Sequence, residues 1–248
     1  MIRLFHASDL HFGREDEEAV RWFAERINDE RPDAVVITGD LTYRARRREF
    51  EAAAEWLGAL HVPATIEPGN HDLPYFNPLA RFFAPYDRHH WLERSFESAL
   101  NLPNVSFIPL RTTSRAQWRL NWSWGVVRPL SLQRALQALE EAPARNLKLV
   151  LCHHPLVDTG AAARYAPTHG GEKALDALAL GGADAVLSGH IHDPFDEKYQ
   201  SGRRAIRLIG AGTLSERIRA TPPSFNELLF EAGTLHVKVR EMAESAVE

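Results

Sequence analysis

The sequence predicts an α/β fold built on two β-sheets, and three observations carry that prediction. Short apolar runs at residues 2–7, 34–37 and 63–67 alternate with amphipathic stretches, which reads as a β-α-β-α-β opening. Each of these runs is followed by a polar loop rich in Asp, His, Asn and Gly, at the strand end where open α/β sheets place their ligands. The last third changes character: 205–209, 225–230 and 235–240 read as strands joined by short turns, one of them Glu231-Ala232-Gly233. Those strands suggest a second, partly antiparallel sheet.

Taken in order, the first strand leads into a helix starting near Asp16, with Val20, Phe23, Ala24 and Ile27 at helical spacing on one apolar face. The run Ala34-Val35-Val36-Ile37 has the continuous apolarity of a strand covered on both faces. A second helix is expected over 46–60, with Phe50, Ala53, Ala54, Leu57 and Leu60 inward. Residues 73–104 hold Tyr75, Phe76, Phe82, Phe83, Tyr86, Trp91 and Phe96 among short helical pieces. This reads as a helical, aromatic-rich insertion or cap. Its rings are expected to bury against the core; the sharper reading is a wall of the substrate cleft or a dimer surface.

Further strands are expected at 105–110 and at 119–127, where Leu120, Trp122 and Trp124 alternate with Asn121 and Ser123. A helix at 132–142 has Ser131 as its cap. A strand at 147–152, a loop at 155–169, a helix at 171–180 and a strand at 183–187 complete the middle of the chain. The expectation is a single domain over 1–248.

Lys and Arg number 29 against 33 Asp and Glu, a formal charge of −4, which argues against a surface that coats nucleic acid or acidic membranes. A small local basic patch is compatible with that balance. Cys152 is the one cysteine, so an internal disulfide is excluded, and its place in an apolar strand marks a buried thiol. No signal peptide and no apolar run long enough for a bilayer are visible, so a cytoplasmic location without a transmembrane segment is expected.

Five short motifs carry the chemistry: Asp9-Ser-Leu-His11, Gly39-Asp40, Gly69-Asn70-His71-Asp72, His153-His154 and Gly189-His190-Ile-His192. Each alone is weak. Together they line one rim with carboxylate, imidazole and amide groups. The mixed nitrogen and oxygen set suits Mn, Fe, Zn or Ni better than a calcium or magnesium cage. Asp9, His11, Asp40, Asn70, His153, His190 and His192 exceed what one tetrahedral site uses, and two ions sharing a carboxylate account for the number.

In content and order these motifs resemble the calcineurin-like metallophosphoesterases, over residues 5–192. The compact Gly-Asn-His-Asp and the His153-His154-Pro155 look most like the bacterial class III cyclic-nucleotide phosphodiesterases. The resemblance implies a four-layer α-β-β-α sandwich, two mixed sheets face to face with helices outside. It implies two divalent or mixed-valence metal ions, manganese foremost, with iron or zinc as alternatives. Asp9, His11, Asp40 and His192 would hold the first ion, and Asp40, Asn70, His153 and His190 the second. His71 would serve the leaving group and Asp72 would support His71 or the loop. The sequence departs from relatives at Leu110-Arg111-Thr112-Thr113 and in the tryptophan-rich 118–124.

The function expected is dinuclear hydrolysis of a phosphodiester, by in-line attack of a metal-bridging hydroxide, with a 3′,5′-cyclic nucleotide or similar small diester as substrate. Catalysis would involve Asp40, Asp72 and His71, an imidazole being suited to proton transfer near neutral pH. His154 is weighed equally between a structural and a substrate-contacting role. For Arg44 a solvated helix start is favoured over a phosphate contact. The alternatives are a UDP-sugar-lipid pyrophosphatase of the same family and a non-catalytic, metal-stabilised protein-binding scaffold. No stable nucleic-acid partner is expected, and a homodimer is compatible with the sequence.

Overall fold

The computed structural model describes residues 1–96, 100, 102–115, 123–158 and 168–243. Two five-stranded sheets form the centre. The first contains β1 (Ile2–Ala7), β2 (Ala34–Thr38), β3 (Ala64–Glu67), β9 (Ser224–Glu231) and β10 (Thr234–Glu241), ordered β10-β9-β1-β2-β3. The second contains β4 (Val105–Pro109), β5 (Leu147–Leu151), β6 (Ala185–His192), β7 (Phe195–Ser201) and β8 (Arg204–Gly212), ordered β4-β5-β6-β8-β7. Both sheets are mixed: β1 pairs parallel with β2 and antiparallel with β9, and β8 pairs parallel with β6 and antiparallel with β7.

Strand alternation divides the core into three layers. Leu4 and Val36 face the opposite sheet, where they meet Leu149, Leu187 and Ile209. Their neighbours Phe5, Val35 and Ile37 face outward, onto α1 (Glu17–Glu30) and α2 (Arg47–Gly58). On the far side, Val150, Val186 and Leu208 pack under α5 (Pro129–Glu141) and α6 (Gly171–Leu180). The result is the four-layer α-β-β-α sandwich. Phe5, Phe23 and Phe225 interlock, with centroids 4.7 to 6.4 Å apart. Each such buried ring contributes roughly 1.5–3 kcal/mol.

Local chemistry sets the helix ends. The Asp16 carboxylate accepts the N–H groups of Glu18 and Ala19, and α1 stops at Arg31, which turns left-handed at φ 47°. α5 begins earlier than its anticipated Ser131 cap. Pro129 takes the first turn, where its missing N–H costs nothing, and the Ser131 hydroxyl instead donates to the Arg111 carbonyl at 2.9 Å.

Two expectations about the sheets need correction. The last-third strands do not build a sheet of their own: β9 and β10 extend the first sheet beside β1, while β8 joins the second. Strand β7 has no counterpart in the sequence reading, because as an edge strand it exposes Asp196, Lys198 and Gln200, half-buries Glu197 and Tyr199, and lacks an apolar run. The anticipated strand at 119–127 and the loop at 155–169 lie partly outside the described residues. Within 123–127 the backbone forms only a bridge, Val126 to His169.

The insertion folds as α3 (Pro78–Phe83) and α4 (Asp87–Phe96). Its aromatic side chains do not bury as expected. Tyr75, Phe76, Phe82, Phe83 and Trp91 are exposed; among the described residues of this segment Leu73 and Leu92 are the fully buried apolar side chains, while Tyr86 and Phe96 are half-buried and Phe96 packs against the core. Amphipathic α4 turns one narrow face, His89 and Leu92, inward, with Phe96 half-buried beside it and Trp91 left outside. Among the described residues no helix is long and apolar enough to cross a membrane.

Candidate metal centre

The rim is assembled by loops that continue the sheet pairing past the strand ends. The Asp9 N–H donates to the Gly39 carbonyl and the His11 N–H to the Asp40 carbonyl, both at 3.0 Å. In the second sheet, Cys152 N–H donates to Leu187 and Gly189 N–H to His153. The two rims then meet: the His190 N–H donates to Asp9 Oδ2 at 2.8 Å, and the Thr213 hydroxyl to the Asp9 carbonyl at 2.7 Å. Asp9, His11, Asp40, His190 and His192 all adopt left-handed backbone, with φ of 56°, 52°, 50°, 70° and 67°. Non-glycine residues rarely adopt that conformation, and a cluster of them marks a functional site. Close approach adds to it, since a Cβ on Gly69 would lie 2.1 Å from both the backbone nitrogen and Oδ1 of Asp40.

Among the described residues three overlapping groups of ligand side chains converge, one of them His153, His154 and His190. Asp9, His11 and His192 present ligand atoms within 4.8 Å of one another, and so do Asp9, Asp40 and His153. His192 Nδ1–H donates to the Arg217 carbonyl at 2.7 Å, so Nε2 turns a lone pair toward Asp9 Oδ1 at 3.1 Å. His153 Nδ1–H likewise donates to the Thr38 carbonyl at 2.8 Å, and its Nε2 faces Asp40 Oδ2 at 3.3 Å and Asn70 Oδ1 at 3.2 Å. His11 Nε2 stands 3.9 Å from Asp40 Oδ2 and 3.5 Å from His192 Nε2. The His190 and His153 rings meet edge-on, with centroids 5.1 Å apart.

Acceptors facing acceptors in a buried place repel unless a cation lies between them. Asp9 Oδ1 is buried and has no hydrogen-bond partner among the described residues. These residues therefore fit two metal ions; Asp9 is common to both groups, and Asp40 Oδ2 lies within reach of His11 in one and His153 in the other.

Electrostatics point the same way. Burial alone would push His153 down, but the Asp40 carboxylate outweighs it and lifts the ring to about 9. For His192, burial is likewise outweighed by Asp9, and its pKa is raised. Burial would raise Asp9 and Asp40; the adjoining imidazoles, His192 and His153 foremost, hold both well below the usual carboxylate range. In His11 and His190 burial prevails and lowers the pKa to about 3 and about 4. The cavity favours positive charge shared among carboxylates and neutral rings, which is what a metal ion supplies.

The remaining anticipated residues occupy distinct places. His71 packs on the His11 ring at 4.8 Å; its Nδ1–H donates to the Tyr43 carbonyl at 2.6 Å, which turns Nε2 toward the site. The Asp72 carboxylate is engaged by Leu41, Thr42 and Gly69 N–H groups and the Thr42 hydroxyl, at 2.7 to 3.2 Å. It ties together the Asp40 and Asn70 loops. Burial, with Asp40 nearby, raises its pKa, whereas those donors favour its charge.

His154 lies beside His153 and His190, since β5 ends at Leu151 and both imidazoles turn to the same side. Both its nitrogens have partners, Thr112 Oγ1 and the Ser123 carbonyl, each at 2.9 Å. Arg44 stands further out, with its guanidinium 5.0 Å from the Tyr43 ring and 5.5 Å from the Phe76 ring.

Arg217 is absent from the sequence reading. Its Nη1 lies 3.3 Å from His71 Nε2 and 3.4 Å from His11 Nε2. No motif announces it, as it sits in a loop between β8 and β9. Beneath the rim, Asn226 Nδ2 approaches His6 Nδ1 at 3.3 Å and His6 Nε2 bonds Thr38 Oγ1 at 2.9 Å, a second unanticipated polar chain.

A sandwich carrying paired metal-binding clusters at the strand tips is a metal-dependent hydrolase architecture. Residues 2–194 match the family model described as calcineurin-like phosphoesterase, and the chain belongs to that family. A glycerophosphodiester phosphodiesterase of Enterobacter lignolyticus is 36% identical over 92 residues, 31% of this chain and 33% of that protein. A probable cyclic nucleotide phosphodiesterase of Rhodopseudomonas palustris is 28% identical over 202 residues, 74% of this chain and 66% of that one. The matched region thus spans from a third to just under two thirds of these relatives' length. In structure, a dimetal phosphatase from Danio rerio superposes with a TM-score of 0.68 at 16% identity, covering 97% of this chain and 96% of the other; at that identity the likeness concerns the fold.

Proposed function

We propose that the protein hydrolyses a small phosphodiester, a 3′,5′-cyclic nucleotide first among the candidates, at two metal ions held by Asp9, His11, Asp40 and His192 and by Asp40, Asn70, His153 and His190. The observation that carries this reading is the set of buried acceptors closing on Asp40 from both sheets. The relatives named for diester cleavage support it, as does the manner in which Thr38 and Arg217 carbonyls fix the tautomers of two histidines. When bound, the ions would neutralise phosphate charge and supply a hydroxide near neutral pH, with manganese favoured and iron or zinc compatible.

The chain's own residues take the remaining roles. His71 presents Nε2 to the leaving oxygen and moves a proton there, while Nδ1–H stays on the Tyr43 carbonyl. The Arg217 guanidinium, beside both His71 and His11, receives the non-bridging phosphate oxygens. Asp72 holds the two loops in register and takes no proton. His154 packs behind the second cluster as a structural residue, and Arg44 steadies the Tyr43 ring. The chain acts as one unit, with 73–104 as its cap.

The test is a set of parallel assays on manganese-reconstituted protein with cyclic AMP, an aryl phosphodiester and a UDP-linked sugar lipid. Turnover of the first two is expected. The exposed Tyr75 and Phe76 are the reason for including the lipid. Two bound metals with no hydrolysis of any diester would overturn the reading and leave the scaffold role.

A further inference from the structure

At the ends of β3 and β4, a cavity of about 530 Å³ is lined by none of the proposed metal ligands. Its walls are the ends of β3 and β4, the α3–α4 turn and the first turns of α5. Among the described lining residues four are arginines, Arg111, Arg115, Arg128 and Arg134, and Glu67 is the one carboxylate. The whole chain has fewer basic than acidic residues, so general basicity does not explain this local excess.

Several of these arginines are placed by neutral groups. The Arg111 guanidinium lies 4.4 Å from the centroid of the Tyr86 ring, and the Tyr86 hydroxyl is anchored on Thr113 Oγ1 at 3.0 Å. Arg115 Nη1 donates to the Phe82 carbonyl at 3.2 Å, and Arg128 Nη2 to the Ser114 hydroxyl at 2.8 Å. Glu93 stands 3.8 Å from Arg111 and offsets part of one charge. Arg128 caps α5 and Arg134 lies within its first two turns, where there is no acidic residue in the first turn and no side-chain cap. Cations there oppose the helix dipole, a cost that a bound anion would reverse. Leu130, 57% exposed, adds an apolar wall to the same cavity.

We infer that this groove is a second ligand site, distinct from the metal centre, for a small organic molecule bearing a pyrophosphoryl or similarly multivalent phosphate group. Guanidinium forks match phosphate oxygens in pairs, and the apolar wall accommodates the organic part. This goes beyond the proposed hydrolysis and does not depend on it.

The test is calorimetric titration of ADP, with inorganic pyrophosphate as a second probe, into metal-loaded wild type and into Arg134→Glu, Arg115→Ala and Asp40→Asn proteins. Both probes are expected to bind wild type, ADP more tightly. Affinity should fall at least about tenfold in Arg134→Glu and Arg115→Ala and weaken with added salt. Asp40→Asn should retain it, and Arg134→Glu should retain metal content and diester turnover. Undiminished binding in both arginine variants, or binding abolished by Asp40→Asn, would place the anion on the metal rim and overturn the inference. Failure of either probe to bind wild type would overturn it as well.

Discussion

The His192 ring donates its Nδ1–H to the backbone carbonyl of Arg217 at 2.7 Å, while the Arg217 side chain reaches across to His71. One residue thus orients a proposed metal ligand with its main chain and faces the substrate position with its side chain. These roles separate by mutation. Arg217→Ala keeps the carbonyl, so metal content should be unchanged. Losing a charged hydrogen bond worth about 1.5–3 kcal/mol should lower kcat/KM by roughly 10- to 150-fold. Loss of metal from this variant would show that the side chain serves the site's structure.

Asp40 is the proposed ligand of both ions, so Asp40→Asn should deplete both together. Elemental analysis of purified protein reads this directly. By contrast, His71→Ala should keep both metals and lose about 10²–10⁴-fold in turnover, as for other general acids. Wild-type rates in that variant would remove His71 from the chemistry.

Gly69 and Gly202 form a matched pair. An added Cβ at Gly69 meets the Asp40 backbone and carboxylate, whereas at Gly202, φ 57°, nothing lies within 4 Å. Gly202→Ala should cost about 1–2 kcal/mol, the left-handed penalty alone. Gly69→Ala should cost more than that and also release metal, because the clash moves a carboxylate. Denaturant melts with metal analysis compare the two.

His6 is fully buried, and burial pushes its pKa down to about 3. The unfolded chain takes up a proton as pH falls below about 6.5, while the folded chain resists until about 3. Stability is therefore intact above the unfolded value and declines as pH drops through this window. At pH 5 the loss from this group is about 2 kcal/mol relative to pH 8. Urea melts at both values should show that slope shallower in His6→Gln; identical slopes would mean that His6 protonates within the fold.

Cys152 is buried and burial pushes its thiol up, so the native protein should not react with a thiol reagent at neutral pH. Denaturation should release one reactive thiol per chain. Fast labelling of the folded protein would show that the strand tip opens.

Much of this molecule is written in local pattern. The short apolar runs of β1 and β2 and the 3.6-residue period of Val20, Phe23 and Ile27 mark elements that burial enforces, and Asp9, Asp40, Asn70 and His153 fall just past strand ends, whereas His190 and His192 lie in the last residues of β6. Other features depend on contacts between residues far apart in the chain. No local signal assigns β9 and β10 to the first sheet, because antiparallel partners are chosen by packing across the sandwich. Nor does any motif bring Arg217 to His71, 146 positions away, or align Asn226, His6 and Thr38 beneath the rim. The aromatic residues of 73–104 have a composition that suggests burial, yet Tyr75, Phe76, Phe82, Phe83 and Trp91 stand outside, and only Tyr86 and Phe96 are half-buried. The sequence by itself determined the alternation of strands and helices and the residues with ligand chemistry, since both follow from short-range periodicity and residue type, while the four-layer arrangement was implied by the family resemblance. Only the tertiary structure decided which sheet each late strand joins, which arginine stands at the metal rim and which others gather at the sheet edge, because those outcomes depend on how distant surfaces meet.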